Sequence, residues 1–167
     1  MHPFVLVGGW ARSGKTTLSM ALAAELGLAC LAKDEVEEAL MDALGAPINV
    51  PASRDLGVAA VHAVLRLARG SRGAVIDSTW YPYTLPFVLA LPGPCVEVRC
   101  RVPVEVARER YEARQRDARH LDGQRSHDEP WGSPIEPLGV GPLVEVDTSR
   151  PVDAAALSAT IRGLVGL

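Results

Sequence analysis

The 167-residue sequence predicts an α/β fold: a three-layer sandwich whose five-stranded parallel sheet carries a helix after each strand. Three observations carry that expectation. First, the apolar run Phe4-Val5-Leu6-Val7 leads into Gly9-Trp10-Ala11-Arg12-Ser13-Gly14-Lys15-Thr16, which fits G-x-x-x-x-G-K-[ST], and an amphipathic run from Thr17 to Leu26 follows. Strand, glycine-rich turn and helix start are the context this pattern requires. Second, short apolar runs alternate with segments of helical period, as in a parallel sheet covered on both faces. Third, two of those runs lead into or end in an acid, at Asp34 and Asp77, and open α/β sheets bind ligands off that carboxyl edge.

Length and composition fit one domain, residues 1–167, with room for a core. Apolar residues make up 48% of the chain, which excludes disorder as the main state. A formal net charge of −3 gives no electrostatic footprint for nucleic acid or an anionic membrane. Cys30, Cys95 and Cys100 lack metal spacing and read as buried thiols in a reducing compartment. Met1 leads directly into the first strand and no apolar run nears the length of a membrane span, so a cytoplasmic chain is expected.

In chain order, the first strand covers about Phe4 to Val7 and the first helix Gly14 to Leu26, with Leu18, Ala21, Leu22 and Leu26 on one stripe and Gly27 closing it. Leu28 to Ala32 reads as a strand buried on both faces, and Val36 to Leu44 as helix. Gly45 to Pro51 is a loop, and Ser53 is the expected N-cap of a helix in which Val58, Val61, Val64, Leu65 and Ala68 recur. Ala74 to Thr79 is the third strand. Tyr81 to Leu91 is a short helix whose aromatic and apolar residues are expected in the core. Cys95 to Cys100 is the fourth strand, and Pro103 opens a helix running to about Ala118. Residues 119–129 are polar and aperiodic, and residues 131–142 form a Pro/Gly-rich connection. Leu143 to Asp147 is the fifth strand, Thr148 to Pro151 a turn and Val152 to Leu164 the closing helix. The expected strand order is 2-3-1-4-5, with right-handed crossovers.

The chemistry follows from the first turn. Its successive backbone N–H groups make an anion-binding concavity, and the helix adds its positive dipole end. Gly9, Trp10, Ala11, Arg12, Ser13, Gly14, Lys15, Thr16 and Thr17 are therefore the candidate nucleotide-binding residues, with ATP and Mg²⁺ the expected cofactors. Lys15 would reach the β- and γ-phosphates, and the Thr16 hydroxyl would ligate Mg²⁺ with Asp77 beside it. Asp34 could accept the proton of an attacking hydroxyl, or cap its helix, or both. Arg110 and Arg114, four apart, share a helix face in a candidate lid at about 103–130. Guanidinium forks suit phosphate there because they stay charged and pair with two oxygens. Arg150 follows the last strand and is a candidate nucleotide contact. Lys33, Glu35, Glu37, Glu38, His62, His120 and His127 read as solvated or incidental. A metal set of His120, His127 and Asp128 fits no established spacing.

These residues together resemble the small P-loop kinases of the nucleoside-monophosphate-kinase type, most nearly the chloramphenicol phosphotransferase-like, AAA-type small-molecule kinases. Gluconate-type and polynucleotide-type kinases are relatives. The resemblance spans nearly the whole chain. It rests on Gly9 to Thr16, Asp34-Glu35-Val36-Glu37-Glu38-Ala39, Val75-Ile76-Asp77, Glu109-Arg110 with Arg114, and Val144-Glu145-Val146-Asp147-Thr148. It implies transfer of the ATP γ-phosphate to a small-molecule hydroxyl, with Asp34 as base and Lys15 and the lid arginines carrying phosphate charge. An antibiotic or nucleoside-like acceptor is one implication; a polynucleotide- or sugar-type kinase, or a regulatory NTPase without acceptor, is the alternative. Negative charge and the lack of an aromatic-plus-basic stripe count against nucleic acid, and no N-K-x-D motif marks a guanine switch. Trp10 and Arg12 at variable loop positions, and Ser78-Thr79 after Asp77 in place of a second acid, leave the acceptor open. Oligomeric state is not legible.

Overall fold

A computed structural model describes residues 2–113, 118–121 and 135–166. In chain order its elements are β1 (Phe4–Gly8), α1 (Lys15–Leu26), β2 (Ala29–Ala32), α2 (Lys33–Leu44), α3 (Val50–Arg69), β3 (Ala74–Asp77), α4 (Leu85–Val88), β4 (Cys95–Arg101), α5 (Val104–Ala113), β5 (Leu143–Asp147) and α6 (Ala154–Leu164). The five strands form one sheet in the order β2-β3-β1-β4-β5, and every neighbouring pair is parallel. That is the order expected from sequence.

β1 and β3 are buried along their whole lengths. Val5, Val7, Val75, Val96 and Val98 pack one sheet face against Leu18, Leu22 and Leu26 of α1 and Leu157 and Ile161 of α6. Phe4, Leu6 and Ile76 pack the other face against Val61, Val64, Leu65 and Ala68 of α3, with Trp80 and Val88. The alternation of successive side chains to opposite faces thus feeds two cores from one continuous apolar run. Each fully buried Val or Leu contributes about 1.5–3 kcal/mol, so these two layers hold the sheet rigid beneath the loops. Among the described residues, no helix is long and apolar enough to cross a membrane.

The structure corrects several local expectations. β2 is an edge strand flanked only by β3, and its residues are exposed or half-buried rather than covered on both faces. α2 starts at Lys33 with no intervening loop and Ala32 at the N-cap, so Asp34 lies in the first turn and does not cap the helix. The N-cap of α3 is Asn49, whose side chain accepts from Ala52 N at 2.9 Å. Ser53 lies inside that helix and is buried. Pro51 sits in the first turn, where a missing N–H costs nothing. On α1 Ala23, not Ala21, joins the buried stripe. Tyr81, Tyr83 and Phe87 are exposed rather than core residues, because α4 is a single short turn that presents only Val88 inward. α6 begins at Ala154, capped by Asp153, two residues later than Val152.

Two buried polar residues tie down the far loops. Glu97 on β4 accepts from Leu138 N at 2.7 Å and Val140 N at 2.9 Å, which pins the return segment to the sheet. His120, expected in a solvated loop, is buried, with Nε2 3.0 Å from Glu38 Oε1 of α2. Cys100 is buried and its thiol is pushed up to about 12, chiefly by desolvation, whereas Cys30 and Cys95 are half-buried. Arg114, His127, Asp128 and the middle of the expected lid lie outside the described residues.

Candidate active site

The chain leaves β1 through Gly8 and turns sharply at Gly9, whose φ is 139°. A β-carbon on Gly9 would lie 2.7 Å from Cys100 O and 2.8 Å from Ser13 Oγ. Only glycine lets the turn settle this close to β4. Ser13 N donates to Trp10 O at 3.2 Å, closing the turn, and the buried Ser13 Oγ has no hydrogen-bond partner among the described residues. Thr148, just past β5, donates from Oγ1 to Ser13 O at 2.5 Å and from its backbone N to Arg101 O at 2.9 Å. The loop is therefore fastened from below by the ends of β4 and β5. Gly14 (φ 85°) then delivers the chain into α1 at Lys15.

Lys15 Nζ folds back onto its own loop and donates to Trp10 O at 2.8 Å. Thr16 Oγ1 donates to Asp77 Oδ2 at 2.6 Å. Asp77, 6% exposed at the end of β3, has its pKa raised. Desolvation is the main cause and Asp34 adds to it, while Lys15 and the Thr16 hydrogen bond oppose it. A Thr hydroxyl beside a carboxylate offers hard oxygen donors, and Mg²⁺ characteristically takes one or two protein oxygens and keeps waters. Among the described residues no group of three His, Cys, Asp or Glu could hold a metal instead. The concavity, the Gly9 cradle and the Thr16–Asp77 pair fit a Mg²⁺–nucleotide.

A cleft of about 910 Å³ runs from this loop across the carboxyl edge of the sheet. Ala11, Arg12, Gly14, Lys15, Thr16, Thr17, Asp34, Asp77, Arg110 and Arg150 all line it, so the structure gathers most sequence candidates in one place. Gly9, Trp10 and Ser13 shape the loop and do not line the cleft. Arg110 directs both terminal nitrogens to Thr148 O at 3.3 Å. The Arg150 side chain is 83% exposed, 3.6 Å from Asp147.

Asp34, two residues past the β2 partner of Asp77, lines the same cleft with its side chain 57% exposed. Lys33 Nζ lies 3.3 Å from its Oδ1 and also pairs with Glu37 one turn on. Glu37 is buried, and His120 Nδ1 lies 3.9 Å behind it. Ser53, Arg54, Ser78, Thr79, Tyr81 and Tyr83 also line the cleft, the two tyrosine rings stacked 6.2 Å apart. Sequence reasoning missed Glu37, His120 and Tyr111 as cleft residues. The Lys33–Glu37 spacing of four was a usable signal; nothing local marks His120 or Tyr111.

No protein-family model and no curated protein matches this sequence. Solved structures do. A protein from Chloroflexus aurantiacus, provisionally described as a kinase, superposes with a TM-score of 0.82 at 26% identity over 97% of both chains. A gluconokinase from Sinorhizobium meliloti gives 0.61 at 20% identity, over 95% of this chain and 93% of its own. A shikimate kinase from Acinetobacter baumannii, in complex with shikimate, gives 0.54 at 18%, over 98% and 92%. The fold is that of the P-loop small-molecule kinases, and these neighbours carry it from end to end.

Proposed function

We propose that this protein is an ATP-dependent phosphotransferase that moves the γ-phosphate to a hydroxyl of a small molecule. The observation that carries the reading is the gathering of the candidate groups in one cleft at the carboxyl edge of the sheet. Lys15, the Thr16–Asp77 pair and Asp34 all line it, Asp34 two residues past Ala32, which pairs with Asp77 in the sheet. The kinase neighbours support it.

Lys15, released from Trp10 O, would place its ammonium against the β- and γ-phosphates. Thr16 and Asp77 would hold Mg²⁺, which when bound supplies positive charge at the phosphate oxygens. Asp34 would accept the acceptor's hydroxyl proton as its oxygen bonds to the γ-phosphorus and the bond to the β,γ-bridging oxygen breaks, leaving ADP. Lys33, paired with both Asp34 and the buried Glu37, would fix where the Asp34 carboxylate sits. Tyr81, Tyr83 and Arg54, which line the cleft, would help select the acceptor, with an antibiotic or nucleoside-like alcohol as the candidate.

The test is a thermal-shift screen of sugars, sugar acids, nucleosides and hydroxylated antibiotics with a non-hydrolysable ATP analogue, followed by ATP turnover with each hit. Ligand-linked stabilisation identifies the acceptor. Lys15→Ala should abolish turnover. Turnover that is slow and indifferent to every acceptor would instead support the nucleotide switch.

A further inference from the structure

Arg12 adopts the left-handed backbone conformation, with φ 62°. Among the described non-glycine residues only Leu121 shares a positive φ. A β-carbon is disfavoured there, and glycine would hold the same turn without strain. The turn itself therefore gives no reason for an arginine. The side chain supplies one. Its guanidinium carbon lies 5.8 Å from the centroid of the Tyr111 ring, within reach of a cation–π contact. Both residues line the cleft, and Arg12 lies three residues before Lys15 in the same anion-binding turn. The preceding residue on α5, Arg110, is hydrogen-bonded to Thr148 O. Two consecutive residues of α5 thus reach the two chain segments that border the nucleotide end.

We propose that Arg12 is a second phosphate-binding cation carried within the loop, and that Tyr111 is its positioning residue. This rests on the nucleotide-site reading above. A guanidinium offers its flat face to an aromatic ring and its N–H donors in its own plane. Contact with the Tyr111 ring can therefore hold the cation in the cleft through its face, while its in-plane donors are the groups that would pair with phosphate oxygens. Strain localised at one residue of a binding loop is typical of positions where function overrides backbone preference.

The experiment compares parent protein, Arg12→Gly, Arg12→Lys, Tyr111→Ala, Tyr111→Phe and Lys15→Ala. Melting temperature is measured without ligand, and affinity by calorimetry for AMP-PNP and for adenosine. Arg12→Gly is expected to melt at or above the parent, because the strained residue is gone. It should bind AMP-PNP at least about tenfold more weakly with adenosine affinity unchanged. Arg12→Lys, a charge without the planar fork, should fall between the two. Tyr111→Ala should weaken AMP-PNP binding and Tyr111→Phe should restore it, since the ring face is what matters. Arg12→Gly binding AMP-PNP within about twofold of the parent overturns the proposal. If Lys15→Ala loses binding in that same case, only the Arg12 role falls. If Lys15→Ala also binds normally, the nucleotide-site reading falls with it.

Discussion

Thr16 Oγ1 donates to Asp77 Oδ2 at 2.6 Å, joining the first turn of α1 to the end of β3 across 61 positions of sequence. The carboxylate it meets is buried, and its pKa is raised, chiefly by desolvation. The sign for stability follows. A raised pKa means the folded state binds the proton more tightly, so the contribution is full below the ordinary aspartate value and is lost as pH rises through the raised one. Asp77→Asn is therefore expected to melt at or above the parent at neutral pH, the difference shrinking as pH falls into the ordinary carboxylate range. The same variant should lose the extra stabilisation that Mg²⁺ adds to nucleotide. Melting curves across pH, with and without Mg²⁺ and AMP-PNP, check both. A variant much less stable than the parent at neutral pH would mean that Asp77 is a structural anchor.

Asp34→Asn separates a kinase from a nucleotide switch. Asp34 is not a cap and is largely exposed, so the fold should lose no more than about 1 kcal/mol, the value of a carboxylate near a helix start. Phosphoryl transfer should fall at least about a hundredfold. Single-turnover transfer measured beside melting temperature decides it. Near-normal transfer would remove Asp34 from the base role.

Arg110→Ala should lower kcat more than it weakens nucleotide binding, because charge on the moving phosphoryl group is greatest in the transition state. Losing its hydrogen bonds to Thr148 O should also cost some stability, toward the low end of about 1.5–3 kcal/mol for a charged donor. Arg114→Ala, at a position outside the described residues, tests the second arginine that the sequence singles out. Equal kcat and reduced affinity would assign Arg110 to ground-state binding.

Glu97→Ala leaves two backbone N–H groups, those of the half-buried Leu138 and Val140, without their buried acceptor. At about 1–3 kcal/mol each, this should be among the more damaging single changes in the chain. Glu97→Gln keeps one acceptor oxygen and should cost less. Limited proteolysis near residues 135–142, read beside melting temperature, distinguishes a freed segment from global loss. Equal stability of all three proteins would contradict the anchoring role.

Strand order was legible because glycine-rich turns, apolar runs and terminal acids act locally, and those signals survive in sequence. Gly9 to Thr16, Asp34 and Asp77 came to one edge for that reason. What misled was context. The run ending at Ala32 is as apolar as a buried strand, yet only the sheet's completed order shows that it has one neighbour. Ser53 has good capping chemistry, but Asn49 comes first and its side chain reaches Ala52 N. His120 looks solvated because its partner, Glu38, lies 82 positions away. Tyr111 meets Arg12 only through the tertiary approach of α5 to the loop. Long-range pairing leaves no periodic trace.

The borders of the sheet have a consequence for behaviour at high concentration. β2 is four residues long and passes at once into a helix beginning with Lys33. At the opposite border, β5 carries Glu145 and Asp147, and Arg101 on the neighbouring strand clasps Glu145 at 2.7 Å. A foreign strand seeking backbone partners finds one border too brief and the other set with charges it would have to desolvate. The parallel sheet, whose interior is apolar enough to recruit other chains, is thus fenced against growth into fibres, and the folded protein should stay dispersed where its isolated β1 segment, Phe4–Gly8, would self-associate.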